Sequence, residues 1–584
     1  MNEQTLYRLR DILQSTALAS EEAGLLILLL LVWARHASPG LEISPQQLVK
    51  ELEGLADSHP VLAYTFTGRG LLRHVTPATL ALAVEVIEAG RSEKTDADQV
   101  LADLPHLLGL TFTCDPSLPS LLAALADAQP GELVYLPWDE TGQLGAVFAA
   151  GGADVVAEVP SQPVIATLIS MLHRKPWRIE QVNPITDRGT RERPDPPYDI
   201  AAAIPPLGQR IDMQWLDRAV PGRFPERTSS GTVLAVRQLL AVTRARIVIA
   251  VPNGLLFSSG AENNLREDLL RRGLLRAVVA LPGGLLSGTS LALTVMVIDQ
   301  AGGIDAVRFV NADTQRFKKV VSRTRSALTD PRGLASLCLS ETEDPDVVSV
   351  SVQDLLKNGA QLQVNRYVLP QAIARAQAIL ATVKTVKLEE LVEFLRAPPI
   401  TGEADAASDG EIENEMSTVV REVGASDLPK FGFVTTPGRR VLVGPSAVND
   451  QALRRGDIVL VVKGSVGKVG IVSAHVDADD TDLWIASQSA IVLRVRDPSR
   501  MDPRALFMQL RSPLGQQLLK GIVSGATIPL IQLKELRKLP VIAQDLPTQQ
   551  RATRALEEEA DLERQITELR EQQAFQTASL WQLV

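Results

Sequence analysis

The chain has 584 residues, 45% of them hydrophobic, and a formal charge of −10. That length is too great for one ordinary core and predicts about three or four domains, while the apolar share excludes a chain that stays unfolded. The acidic balance excludes a protein whose main work is coating nucleic acid nonspecifically, but a basic groove depends on the local field and is not excluded.

Residues 1–125 predict a helical N-terminal domain. Apolar positions recur at helix spacing through LYRLRDILQ, LVKELEGLA and TPATLALAVEVIEA, and Thr76-Pro77 is a helix start with Thr as cap and Pro in the first turn. The run GLLILLLLVW, Gly24 to Trp33, is shorter than the roughly 20 residues a bilayer needs. No basic segment precedes it and no small-residue cleavage site follows it, so it predicts a buried helix in a soluble, cytoplasmic protein without a membrane partner. Cys114 and Cys338 lie far apart and form neither a metal-spacing cluster nor a disulfide framework, which suits buried thiols in a reducing compartment.

Residues 126–345 change pattern. ELVYLP, ADVVAEV, YDIAAAI, RIVIAVP, LRAVVALP and ALTVMVID are continuous apolar or β-branched runs, with helical stretches such as PVIATLISMLH and ENNLREDLLRR between some of them. Such alternation predicts an α/β domain around a mostly parallel, buried sheet. A helical extension is expected over 346–400 and an acidic flexible linker over 401–424. A further unit, 425–545, carries the short strands VLVG, DIVLVVKG, GKVGIVSA and SAIVLRVR, broken by Gly and Asp. From 546 to 584, Leu556, Leu562, Ile566 and Leu569 recur at helix spacing, predicting a long helix that packs on a partner or folds back.

In open α/β sheets, ligands sit beyond the C-terminal strand ends. Three loops leave such ends. In PWDETGQLG, Pro137 to Gly145, glycines would let the backbone pass close to a nucleotide. Glu158 ends the second strand, where a carboxylate accepts the hydroxyls of a ribose or is simply solvated. The third loop is Ile204-Pro205-Pro206-Leu207. Other chemistry finds no motif: no Gly-rich loop ends in Gly-Lys-Ser or Gly-Lys-Thr, the six histidines are scattered, and no Ser-centred nucleophile elbow is present.

Several stretches resemble the modification subunit of type I restriction systems, the N6-adenine DNA methyltransferases. These are PNGLLFSSGAENNLREDLLRRGLLRAVVALPGGLLSGTSLALTVMVID at 252–299 and VSVQDLLKNGAQLQVNRYV at 350–368. RRGDIVLVVKGSVGKVGIV, ASQSAIVLR, RSPLGQQLLK and SGATIPLIQLKEL resemble half of the same systems' specificity subunit. The resemblance implies a multidomain fold: the helical N-terminal domain, an α/β Rossmann-like methyltransferase core, and an α+β target-recognition domain with a long C-terminal helix. It also implies an S-adenosylmethionine site, held by Pro137, Thr141, Gly142 and Glu158 if the pocket is retained.

The departures fall on the chemistry. Where the family has Asp-Pro-Ala-Cys-Gly-Ser-Gly-Gly, this chain has Leu136 to Gln143, and only Pro137 and Gly142 clearly survive. Where the family has Asn-Pro-Pro-Phe or Asn-Pro-Pro-Tyr, it has Ile204, Pro205, Pro206 and Leu207. Isoleucine offers no acceptor to an adenine amine, and leucine has no ring to stack on a flipped base. Three outcomes stay open: a DNA-binding protein that has lost methyl transfer, an active adenine-N6 methyltransferase, and a scaffold without sequence preference. Double-stranded DNA is the expected partner, with Lys463, Ser465 and Lys468 in a turn suited to phosphate. Ser524, Thr527 and Ile528 are expected to be structural. One recognition unit and one long helix imply self-association through that helix to read a two-part target. Nuclease or translocase activity would come from partner subunits.

Overall fold

The apolar run near the N-terminus forms the middle of the helix Ser20–His36, where Leu26, Ile27, Leu28, Leu29 and Leu30 are fully buried. No single described helix is long and apolar enough to cross a membrane. The computed structural model describes residues 3–14, 18–37, 43–90, 103–190, 197–368, 371–403, 418–444, 451–473, 483–524 and 529–578. They divide into two units, Met1–Val368 and Leu369–Val584.

The first unit is built on strands β1 (Leu133–Pro137), β2 (Asp154–Val159), β3 (Arg178–Gln181), β4 (Tyr198–Ala203), β5 (Thr243–Pro252), β6 (Leu275–Ala280), β7 (Leu293–Asp299) and β8 (Ala306–Asn311). A ribbon of β9 (Lys318–Val320) and β10 (Ser326–Leu328) follows, then β11 (Val347–Ser351). Nine strands form one sheet in the order β11-β8-β6-β7-β5-β4-β1-β2-β3. The pairings from β3 through β5 are parallel, as is β6 with β8, while β7 and β11 run antiparallel to their neighbours. Burial on both faces explains the uninterrupted apolar strands. One face and the N-terminal helices share a single core from Leu6 to Val347, and the other face packs on Val233, Leu239, Leu265 and Leu355. The domain boundary expected at 125 therefore falls inside one continuous core. The helix Ser117–Ala126 packs on the helix Pro331–Leu339 and on β5.

The second unit corrects the expected boundaries. The span 346–400, read as helical, opens in the first unit with β11 and the helix Val352–Lys357, and in the second holds the helix Gln371–Ala381 but also β12 (Thr385–Lys387) and β13 (Val392–Arg396). The span 401–424, read as a linker, is framed by β14 (Ile400–Glu403) and β15 (Thr418–Val423); residues 404–417 lie outside the described set. With β16 (Arg440–Val443), β17 (Ile458–Val461), β18 (Val469–Ile471), β19 (Trp484–Ala486) and β20 (Ala490–Val495) they form two four-stranded sheets, β13-β20-β17-β18 and β14-β16-β15-β19. The reason is non-local: Val392–Arg396 finds its ladder on β20, about a hundred residues away. The long helix spans Leu546–Ala578.

Candidate functional site

Because β1, β2, β4, β5 and β6 run the same way, their C-terminal ends share one edge of the sheet. Pro137 ends β1, since a proline has no N–H for the ladder. The buried Trp138 then turns the chain with φ of 64° and donates its amide to the Glu158 carbonyl at 2.7 Å.

Glu158 is neither solvated nor aimed at an open site. It is 0% exposed. The Tyr135 hydroxyl donates to its Oε2 at 2.7 Å, and Arg188 Nη2 pairs with its Oε1. Arg188 also pairs with Glu180, and its carbonyl accepts from Arg223 at 2.8 Å, which fixes the loop that carries it. Burial alone would lower the Arg188 proton affinity. The bond and charge of Glu158, with the charge of Glu180, outweigh that and hold the guanidinium charged. Tyr135 is pushed well above its ordinary value by burial and by the Glu158 charge, and its ring stacks on Tyr198 at 4.3 Å.

The loop after β1 is equally occupied. A helix N-terminus is an anion site, and here the anion is the chain's own Asp139, which accepts from Gly145 N at 2.7 Å and Leu144 N at 3.3 Å. Burial raises Asp139 to about 6 against the pull of those amides. Gln143 is buried and stitches this loop to the segment before the sheet: Cys114 N donates to its Oε1 at 2.9 Å, and its Nε2 donates to Cys114 O at 3.0 Å. Thr141 is buried and donates to the same Oε1 at 3.3 Å. The room left by the two glycines is filled from within. Gly142 sits at φ of 70°, and a Cβ there would lie 3.1 Å from Ala166 Cα and 3.2 Å from Ile169. One at Gly145 would strike the Trp177 ring at 2.5 Å.

The third loop leaves β4 at Ala203. Pro205 is buried, Pro206 is exposed, and Ile204 and Leu207 pack partly buried against the core. The structure thus brings Pro137, Glu158 and the proline loop to one edge, and sets Arg188, Tyr135, Asp139 and Gln143 there as partners of its buried polar groups. Sequence reading missed Arg188: it lies in the charged stretch DRGTRERP, which carries no local sign of a buried partner.

In the second unit Lys463 and Ser465 are exposed in the turn between β17 and β18, whereas Lys468 Nζ donates to Ala425 O at 3.2 Å. Gln488 is exposed on the rim of a cavity of about 700 Å³ that also meets Arg439 and the buried Glu422, themselves paired at 2.6 Å. A larger cavity, about 1320 Å³, runs along the long helix and is lined by both signs, Glu557, Asp561, Glu563, Glu568 and Glu571 beside Arg455, Arg504 and Arg564. Ser524 falls in a short strand, Val523–Ser524; Thr527, Ile528 and residues 579–584 lie outside the described set.

Residues 191–376 match the family described as N-6 DNA Methylase. Among curated proteins none matches the chain. Solved structures resemble it at low identity. The type I restriction-modification system methyltransferase subunit from Streptococcus thermophilus is 17% identical, with a TM-score of 0.47, over 63% of this chain and 98% of that one. The type IIG restriction endonuclease BpuSI is 11% identical, with a TM-score of 0.48, over 96% of this chain and 75% of that one. A type I restriction-modification S subunit from M. genitalium is 17% identical, with a TM-score of 0.20, over 29% of this chain and 38% of that one.

Proposed function

We propose that this chain, a member of the N-6 DNA methylase family through its residues 191–376, is a DNA-reading subunit of a restriction or phage-defence system whose own core no longer transfers a methyl group. The carrying observation is Glu158. The one carboxylate that would hold a cofactor ribose is hydrogen-bonded by Tyr135 and ion-paired with Arg188, at zero exposure. The residues of the edge do not fit S-adenosylmethionine: Asp139 fills the helix N-terminus, and Ile169 and Trp177 fill the space beside the glycines. Ile204 and Leu207 add that an extruded adenine would meet neither an acceptor nor a ring.

DNA reading falls to the second unit. Its exposed Lys463 and Ser465 suit a phosphate, and Gln488 on the rim of the smaller cavity suits a base edge. The exposed apolar row Leu562, Ile566 and Leu569 supports self-association through the long helix. The family match by itself favours the alternative, adenine-N6 transfer from S-adenosylmethionine. The experiment incubates the purified chain with labelled S-adenosylmethionine and mixed-sequence duplexes, scoring retained DNA and N6-methyladenine in the same sample. Selective retention without methyladenine is expected. Methyladenine above background would establish the enzyme, and no selective retention would leave only a scaffold.

A further inference from the structure

We propose that the β9–β10 ribbon is a second DNA contact, in the first unit, and that it holds the phosphate backbone of the duplex. This rests on the proposal that the chain binds DNA. In an acidic chain, the stretch between Asp313 and Asp330 contains Arg316, Lys318, Lys319, Arg323 and Arg325 and not one carboxylate. The ribbon presents them on a fixed frame. Ser326 pairs with Val320, Ala327 with Lys319 and Leu328 with Lys318. Its base is anchored by the buried Phe317 and Leu328, by Ser326 N donating to Gly284 O at 3.0 Å, and by Leu328 N donating to Ser117 Oγ at 2.8 Å. The tip is closed by Val321 N and Ser322 N, both donating to Arg325 O.

What this frame displays suits a duplex. Residues 321–325 are all exposed, and Val320 and Val321 stand out at 69% and 50% exposure. Arg316 and Lys318 are paired, with Asp344 and Asp313, and Arg325 leans on His106. Lys319 and Arg323 carry no ion pair among the described residues. Two unpaired cations on a two-stranded ribbon and its tip, beside small apolar side chains, have the size to enter or straddle a groove about 12 Å wide.

The position agrees. Gly284, on which the ribbon leans, follows β6 at the sheet edge where Pro137 and Ile204 also lie. Ser287, on the same loop, binds Thr113 through both backbone and hydroxyl, at 2.9 and 2.7 Å. Beside it stands Phe112, at φ of 56° and 81% exposed. A bulky residue in the left-handed region persists only where its surroundings impose it. An aromatic ring and a basic ribbon therefore flank one loop.

The test is the double variant Lys319→Glu/Arg323→Glu in the full chain, against wild type and Lys463→Glu. Duplex affinity is measured by fluorescence anisotropy across a salt series. Each lost phosphate contact removes about 0.9 from the slope of log K against log salt, so the ribbon variant should be shallower by roughly 2. Its loss of affinity should be equal for every duplex sequence, because phosphates carry no sequence. Both positions are exposed, so the thermal midpoint should match wild type. Wild-type binding with an unchanged slope in the ribbon variant overturns the ribbon alone, and would leave an acidic protein surface as its partner. If wild type retains no duplex at all, DNA reading and the ribbon contact fall together.

Discussion

Glu158 and Arg188 show how one pair can decide a site. A carboxylate at a strand end is a ligand when water reaches it and a structural strut when a buried cation faces it. Removing one partner of a buried pair strands the other, which costs about 3–5 kcal/mol; replacing both by neutral groups of similar volume costs far less. Arg188→Ala should therefore lower stability by about 3–5 kcal/mol in urea unfolding, while Glu158→Gln/Arg188→Met should fall within about 2 kcal/mol of wild type. A small loss in the single variant would mean that Glu158 is free to bind something else. At this scale the sequence placed the loops but not their use. Strand ends at Pro137, at Val159 one residue past the expected Glu158, and at Ala203 follow from local apolar runs and from proline, so they were legible. The closing groups were not, because the pairing of Arg188 with Glu158 and of Gln143 with Cys114 depends on segments far apart in the chain.

At the scale of elements, continuous apolar strands and amphipathic helices in the first unit were readable because each signals itself over a few residues. The strands β13, β14 and β15 were not. LVEFLR suits either a helix turn or a strand, and only its distant partner β20 decides. The ribbon was missed for the same reason: KKV and SAL are too short to show a period. The long helix was legible as a helix, but its two halves behave differently. Up to Glu559 it belongs to its own unit: Leu556 is fully buried, Gln549 Oε1 accepts from Asp502 N at 2.8 Å, and Arg511 holds Glu559 at 2.7 Å. Beyond it, Leu562, Ile566 and Leu569 stand 57%, 39% and 59% exposed at helix spacing. Exchanging all three for serine should convert a dimer to a monomer in sedimentation equilibrium without moving the thermal midpoint. A dimer that survives this change would place self-association elsewhere.

At the scale of the molecule, a net charge of −10 coexists with local cation displays, in the turn at Lys463 and on the ribbon at Lys319 and Arg323. Phosphate responds to the nearby field, so an acidic total is no bar to DNA. The match of residues 191–376 to the N-6 DNA methylase family and the closure proposed for the sheet edge point in opposite directions about catalysis, and one measurement separates them. Isothermal titration of the purified full chain with S-adenosylmethionine addresses it directly. A core sealed by Arg188, Asp139 and Gln143 predicts no saturable heat at any accessible concentration. Saturable binding near one cofactor per chain, weakened by Glu158→Gln, would contradict it.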